Sequence, residues 1–75
     1  MKEHETVVLL KDVPESELRS GDIGAIVHVY TDEKAYEVEF ISGDGQTLAV
    51  LTLDNKNVRP LAKKEILHVR ELARN

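Results

Sequence analysis

Within Ala35-Tyr36-Glu37-Val38-Glu39-Phe40-Ile41, apolar and acidic side chains alternate from Tyr36 to Phe40. A period of two belongs to a β-strand and conflicts with the 3.6-residue period of a helix. Tyr36, Val38 and Phe40 therefore share one face, and Glu37 and Glu39 share the other. A strand that is greasy on one side and charged on the other suits an antiparallel sheet with one face on a core and one in water. Turn residues bound it at both ends. Thr31-Asp32-Glu33-Lys34 precedes it, and Ser42-Gly43-Asp44-Gly45 follows, where glycine supplies the positive φ that tight hairpins need. A hairpin on each side is the expectation.

The remaining apolar residues also come in short β-branched runs between turn residues, the pattern of a small all-β domain. Thr6 to Lys11 forms a first strand, apolar on both faces. Asp12 to Ser20 contains Pro14, which lacks a donor and fixes φ, so this stretch reads as an excursion loop with Val13 and Leu18 tucked inward. Ile23 to Tyr30 forms a second strand. Gly24 within it signals a bulge or a close backbone approach, and a bulge there would reverse which residues face the core. Gln46 to Leu53 forms a fourth strand, again apolar on both faces. Asp54 to Asn57 reads as one tight 3₁₀-type turn, and Val58 to Leu61 as a short edge strand that tolerates Pro60.

The tail from Ala62 to Asn75 supports two readings. As a helix it places Ala62, Ile66, Val69 and Ala73 on one stripe, yet it lacks a capping residue and leaves Leu67 and Leu72 off that stripe. As a strand, residues 65–70 have suitable β-branched content, and the strand is favoured. Val58-Arg59-Pro60-Leu61-Ala62 is echoed by Val69-Arg70-Glu71-Leu72-Ala73, an echo too short to argue for duplication.

The expected fold is thus all-β: a small SH3-like barrel of five antiparallel strands with a C-terminal extra strand or short helix. It is a single domain over residues 1–75, with the barrel at 6–61 and the extension at 62–75. Residues 7–61 resemble a bacterial family of small SH3-like proteins of unknown function. The resemblance rests on Val7-Val8-Leu9, Lys11-Asp12-Val13-Pro14, Gly21-Asp22-Ile23-Gly24, Val29-Tyr30, Tyr36-Glu37-Val38-Glu39-Phe40 and Leu51-Thr52-Leu53. It implies a fold and no catalytic signature. It also implies an antitoxin or immunity-type role beside a neighbouring toxin. A looser resemblance to KOW and Tudor-type barrels rests on Gly24-Ala25-Ile26-Val27, without the basic flanks that hold RNA.

Composition narrows the function classes. The 75 residues carry 14 Asp and Glu against 10 Lys and Arg, a net charge of −4, so a phosphate-binding surface is not favoured. There is no cysteine, which excludes disulfides and thiolate zinc sites. No apolar run approaches the roughly 20 residues of a membrane helix, and Met1-Lys2-Glu3-His4-Glu5 is too polar for a signal peptide, so a cytoplasmic location is expected.

The candidate chemistry is thin. His4, His28 and His68 lie too far apart in sequence for a typical zinc site and read as ordinary histidines. Tyr30, Tyr36 and Phe40 could form an aromatic cage, but the last two belong to the core face. Glu37 and Glu39 are paired carboxylates on a convex strand, without the cleft an acid–base pair needs. Gly43-Asp44-Gly45 is a turn with too few donors to cradle phosphate. No nucleophile elbow or phosphate loop is present. The expectation is a non-enzyme with no cofactor and no metal.

What remains is surface. Asp32, Glu33, Glu37, Glu39 and Asp44 form an acidic set suited to a basic protein partner. A small domain hides only part of its apolar surface, so Val8, Leu10, Leu48 and Val50, with Ile66 and Val69 from the tail, are expected in a homodimer or partner contact. The leading expectation is a non-catalytic protein-binding module, an antitoxin or immunity-type partner. A structural or oligomerisation domain is the alternative. A KOW-type nucleic-acid module using Lys56, Arg59, Lys63, Lys64 and Arg70 is the third.

Overall fold

The structure, a computed structural model, describes residues 1–72. Five strands follow one another: β1 (Thr6–Leu9), β2 (Ile23–Val29), β3 (Ala35–Ile41), β4 (Thr47–Asp54) and β5 (Val58–Pro60). All neighbouring pairs are antiparallel, and the order across the single sheet is β4-β3-β2-β1-β5. The fold is all-β, as the alternation and turn spacing predict, and it matches a small barrel-like arrangement.

The core lies on one face of this sheet. β3 contributes Tyr36, Val38 and Phe40, the three residues its alternation points inward. β1 adds Val7 and Leu9, β2 adds Ile26, β4 adds Leu53 and β5 adds Val58. The excursion loop closes one side. Val13 and Leu18 are buried there and bonded to each other through both backbone N–H groups, at 2.8 and 3.1 Å. Between them a 3₁₀ turn at Pro14–Ser16 starts on the proline, whose fixed φ suits that position.

Gly24 is a close approach. A Cβ there would meet Val38 Cγ1 at 2.7 Å, Glu39 O at 2.9 Å and Phe40 Cε1 at 3.0 Å. The irregularity in β2 lies further on, where the register with β3 shifts between Ile26 and His28. The inward set changes there from Gly24 and Ile26 to Val29, leaving Val27 and His28 exposed. The amino terminus is tied in, since His4 N–H donates to Ile26 O at 2.7 Å.

Two expectations are corrected. Residues 62–72 form neither the favoured strand nor the helix: one turn at 63–64 is followed by irregular chain. Ala73 and Arg74 lie outside the described residues. The tail is nevertheless anchored. Arg59 of β5 makes a two-pronged pair with Glu65, at 2.8 and 2.6 Å, and Arg70 Nε donates to Asp22 Oδ1 at 2.8 Å. Arg70 also donates to Glu17 O at 2.9 Å. Side-chain charge pairs, not a backbone ladder, hold this segment.

The second correction is Val8, expected on a contact surface but only 5% exposed. β1 is interior, between β2 and β5, and Val8 sits opposite Ile23 on one side and Arg59 on the other. Arg59 and Asp22, the neighbour of Ile23, are the two groups that hold the tail, so the tail is tied down on both sides of the Val8 row. A strand apolar on both faces is covered within its own chain, and Val8 is not free to meet a partner.

Candidate functional site

The outer face of β2, β3 and β4 carries the most organised polar cluster. Glu37 projects from the middle of β3, with His28 opposite it on β2 and Thr52 opposite it on β4. Thr52 Oγ1 donates to one carboxylate oxygen at 2.6 Å, and the Tyr30 hydroxyl donates to the other at 2.7 Å. The Tyr30 ring meets the His28 ring edge-to-face, with centroids 4.7 Å apart. Two residues along the strand, Glu39 lies between Ala25 and Val50 and accepts from Thr47 Oγ1 at 2.6 Å.

The hydroxyl donors fix the protonation states. The Thr52 hydrogen bond, then that of Tyr30, holds the Glu37 carboxyl below its usual range. The same Tyr30–Glu37 bond raises the Tyr30 phenol, because losing that proton leaves two negative groups face to face. At neutral pH the face therefore carries an ionised carboxylate held by neutral donors. Among the described residues, the ion pairs are Met1–Glu33, Arg59–Glu65 and Arg70–Asp22, so none involves Glu37 or Glu39.

The acidic set from the sequence is only partly gathered. Glu37 and Glu39 share the sheet face. Asp32 and Glu33 sit in the β2–β3 connection, both in the left-handed backbone region, and Glu33 meets the amino terminus at 3.5 Å. Asp44 occupies the β3–β4 hairpin at the other end of β3. Ser42 donates to it, and that bond lowers its carboxyl. A seven-residue strand separates the two turns by roughly 20 Å.

The apolar set also divides. Leu48 and Val69 line a groove of about 650 Å³ between tail and sheet, together with Ile23, Ile41 and Leu72. Val50 stands on the outer face of β4 beside Glu39, 51% exposed. Leu10, just after β1, is exposed, and Ile66 projects outward, 91% exposed. Val8 is buried, as described above.

Tyr36 and Phe40 are in the core, so they form no cage with Tyr30 on the opposite face. Of the five cations considered for nucleic acid, Arg59 and Arg70 are engaged by Glu65 and Asp22. Among the described residues no three His, Asp or Glu side chains gather as metal ligands, and no helix is long and apolar enough to cross a membrane. The Tyr30–Glu37–Thr52 cluster itself escaped the sequence reading. Its signal was there, since Thr31–Lys34 as a hairpin turn brings Tyr30 back towards β3.

A family model described as a domain of unknown function, DUF4926, matches residues 3–60. The chain belongs to this family. The DUF4926 match ends at Pro60, the last residue of β5, so it takes in the whole sheet and stops before the anchored tail. No curated protein and no solved structure matches the chain.

Proposed function

We propose that this DUF4926 domain is a non-catalytic protein-binding module whose outer sheet face, centred on Glu37 and Glu39, meets a basic protein surface. The observation that carries the reading is the state of those carboxylates. Hydrogen bonds from Thr52 and Tyr30 hold the Glu37 carboxyl low, Glu39 accepts from Thr47, and among the described residues neither carboxylate is in an ion pair. Neutral hydroxyls keep the charge available while removing side-chain freedom before a partner arrives, which lowers the ordering cost of binding. The net charge of −4 adds a long-range attraction for a basic partner. An antitoxin or immunity-type protein facing a cationic toxin is the partnership this chemistry fits.

The test compares wild type with Glu37→Gln/Glu39→Gln, which keeps shape and removes charge. Immobilised protein is used to capture host proteins at low and high salt. The reading requires a basic protein retained by wild type, released at high salt and lost by the variant, with most of the loss in association rate. An identical captured set from both proteins would refute it.

A further inference from the structure

The two edges of the sheet are unlike. The β5 edge is three residues long and ends on Pro60, which has no N–H to offer a new strand. The β4 edge is eight residues long, Thr47–Asp54, and contains no proline. Residues 45–53 are also the longest stretch of the chain free of ionisable side chains. Natural sheets protect edges with lysine, proline or brevity. β5 has two of these devices, and β4 up to Leu53 has none.

The backbone phase of β4 shows which groups are free. Asn55 N–H donates to Lys34 O at 3.0 Å, and the β3–β4 register continues from Ala35 opposite Asp54. Odd-numbered residues of β4 therefore direct N–H and C=O groups to β3, and Val50 and Thr52 direct theirs away from the sheet. The register shift near Ile41 disturbs only the far end, next to Thr47. On the core side Ala49 and Leu51 are partly buried and lie against the core, forming its open rim.

We infer that β4 pairs antiparallel with β4 of a second copy, about a two-fold axis at Leu51. Val50 and Thr52 each exchange N–H···O bonds with Thr52 and Val50 of the second copy. Leu51 then meets its counterpart in the close, non-hydrogen-bonded pair at the axis, and Ala49 lies opposite the second copy's Leu53, a small residue against a large one. The occupant is this chain because the strand is self-complementary and because an acidic protein meets itself at least cost where charge is absent. The nearest carboxylates across the joint are Asp54 of one copy and Glu39 of the other. They stand two strand spacings apart and two residues along the strand, about 12 Å, which exceeds the roughly 8 Å screening length at physiological salt. The contact is isologous and closed, so it stops at a dimer.

The experiment is sedimentation of wild type from about 5 to 500 µM, with Val50→Lys and Ile66→Lys. A small edge contact predicts a midpoint on the order of 100 µM. Wild type and Ile66→Lys should dimerise alike, and Val50→Lys, which places a cation on an exposed edge position, should remain monomeric. Amide exchange on wild type gives an independent reading. The Val50 and Thr52 amides should exchange freely when dilute and slow about threefold at the highest concentration, as mass action leaves roughly a quarter of the chains monomeric there. Four results overturn the proposal: a monomer throughout, an assembly that grows beyond two, a dimer broken by Ile66→Lys but not by Val50→Lys, or a dimer whose Val50 and Thr52 amides stay unprotected.

Discussion

Gly24→Ala tests the one glycine whose added Cβ would meet other atoms within 4 Å. Gly24 has no positive φ, so alanine is compatible with the backbone itself. On backbone entropy alone the change should stabilise the fold by about 0.4–1 kcal/mol. Packing opposes it. The new methyl would sit 2.7 Å from Val38 Cγ1, 2.9 Å from Glu39 O and 3.0 Å from Phe40 Cε1, where carbon pairs prefer about 3.5–4.0 Å. None of these neighbours yields easily. Val38 and Phe40 are in the core, and Glu39 O belongs to the β2–β3 ladder. Overpacking costs about 1–3 kcal/mol, and three simultaneous contacts this short place Gly24→Ala in the upper part of that range, so the net loss is about 1–2 kcal/mol. For a domain of this size that lowers Tm by about 5–15 °C. Circular-dichroism melts and urea titrations measure it, with the midpoint falling at unchanged slope. Gly43→Ala is the control, because nothing lies within 4 Å of its would-be methyl. A Gly24→Ala protein that melts within about 2 °C of wild type, or above it, refutes the close-packing account.

The Glu65 carboxyl is pulled down to about 2 by Arg59 and by the Ala62 N–H, so its NMR titration should show that low midpoint, and Arg59→Ala should move it back up. Burial favours the neutral form of Asp22, but the bonds from Arg70 and from the Arg19 N–H outweigh it and hold its carboxyl low. A depressed folded pKa stabilises above the unfolded value and is lost as pH falls through the folded one; acid titration of Arg70→Ala should therefore show less loss of stability below about pH 4 than wild type. Glu37→Gln should lower the Tyr30 phenol midpoint in ultraviolet titration, since its hydrogen bond to Glu37 is the first cause of the rise; an unmoved midpoint would remove that bond from the account. Phe40→Ala should cost about 3–5 kcal/mol, a large share of a stability near 4–11 kcal/mol, and be seen as loss of the cooperative melt.

The strands were legible where the information is local. β3 needed only its own alternation, and the turns at 31–34 and 42–45 needed only their residue types. Gly24 was legible as a close approach, but the register shift at Ile26 and His28 carries no glycine or proline to announce it. The tail was not legible, because its anchors are long-range: Arg70 reaches Asp22 across 48 residues. That same blindness misplaced Val8. A strand apolar on both faces can be covered by a partner or by its own chain, and periodicity cannot distinguish the two. The acidic face was legible as two carboxylates, but their hydroxyl donors, Tyr30 just after β2 and Thr47 and Thr52 of β4, appear only once the register is known.

The acidic face and the β4 edge are not independent surfaces, since Thr52 belongs to both. Its hydroxyl holds Glu37, while its backbone faces the open edge. Pairing through that edge uses only backbone groups, so it leaves the hydroxyl bond intact. It joins the two outer faces into one strip on which Glu37 of each copy stands level with Glu39 of the other, two rows of carboxylates. Such a strip presents twice the charge to a basic partner, and a partner that spans both halves gains by effective concentration without any new contact. The coupling has a measurable sign. Val50→Pro, which removes an outward-facing N–H and adds no charge beside Glu39, should weaken capture of a basic partner chiefly at protein concentrations where wild type is dimeric. Glu37→Gln/Glu39→Gln should weaken it at every concentration and leave dimerisation unchanged. Loss of capture by both variants at all concentrations would instead mean that the partner itself occupies the β4 edge, in competition with the second copy.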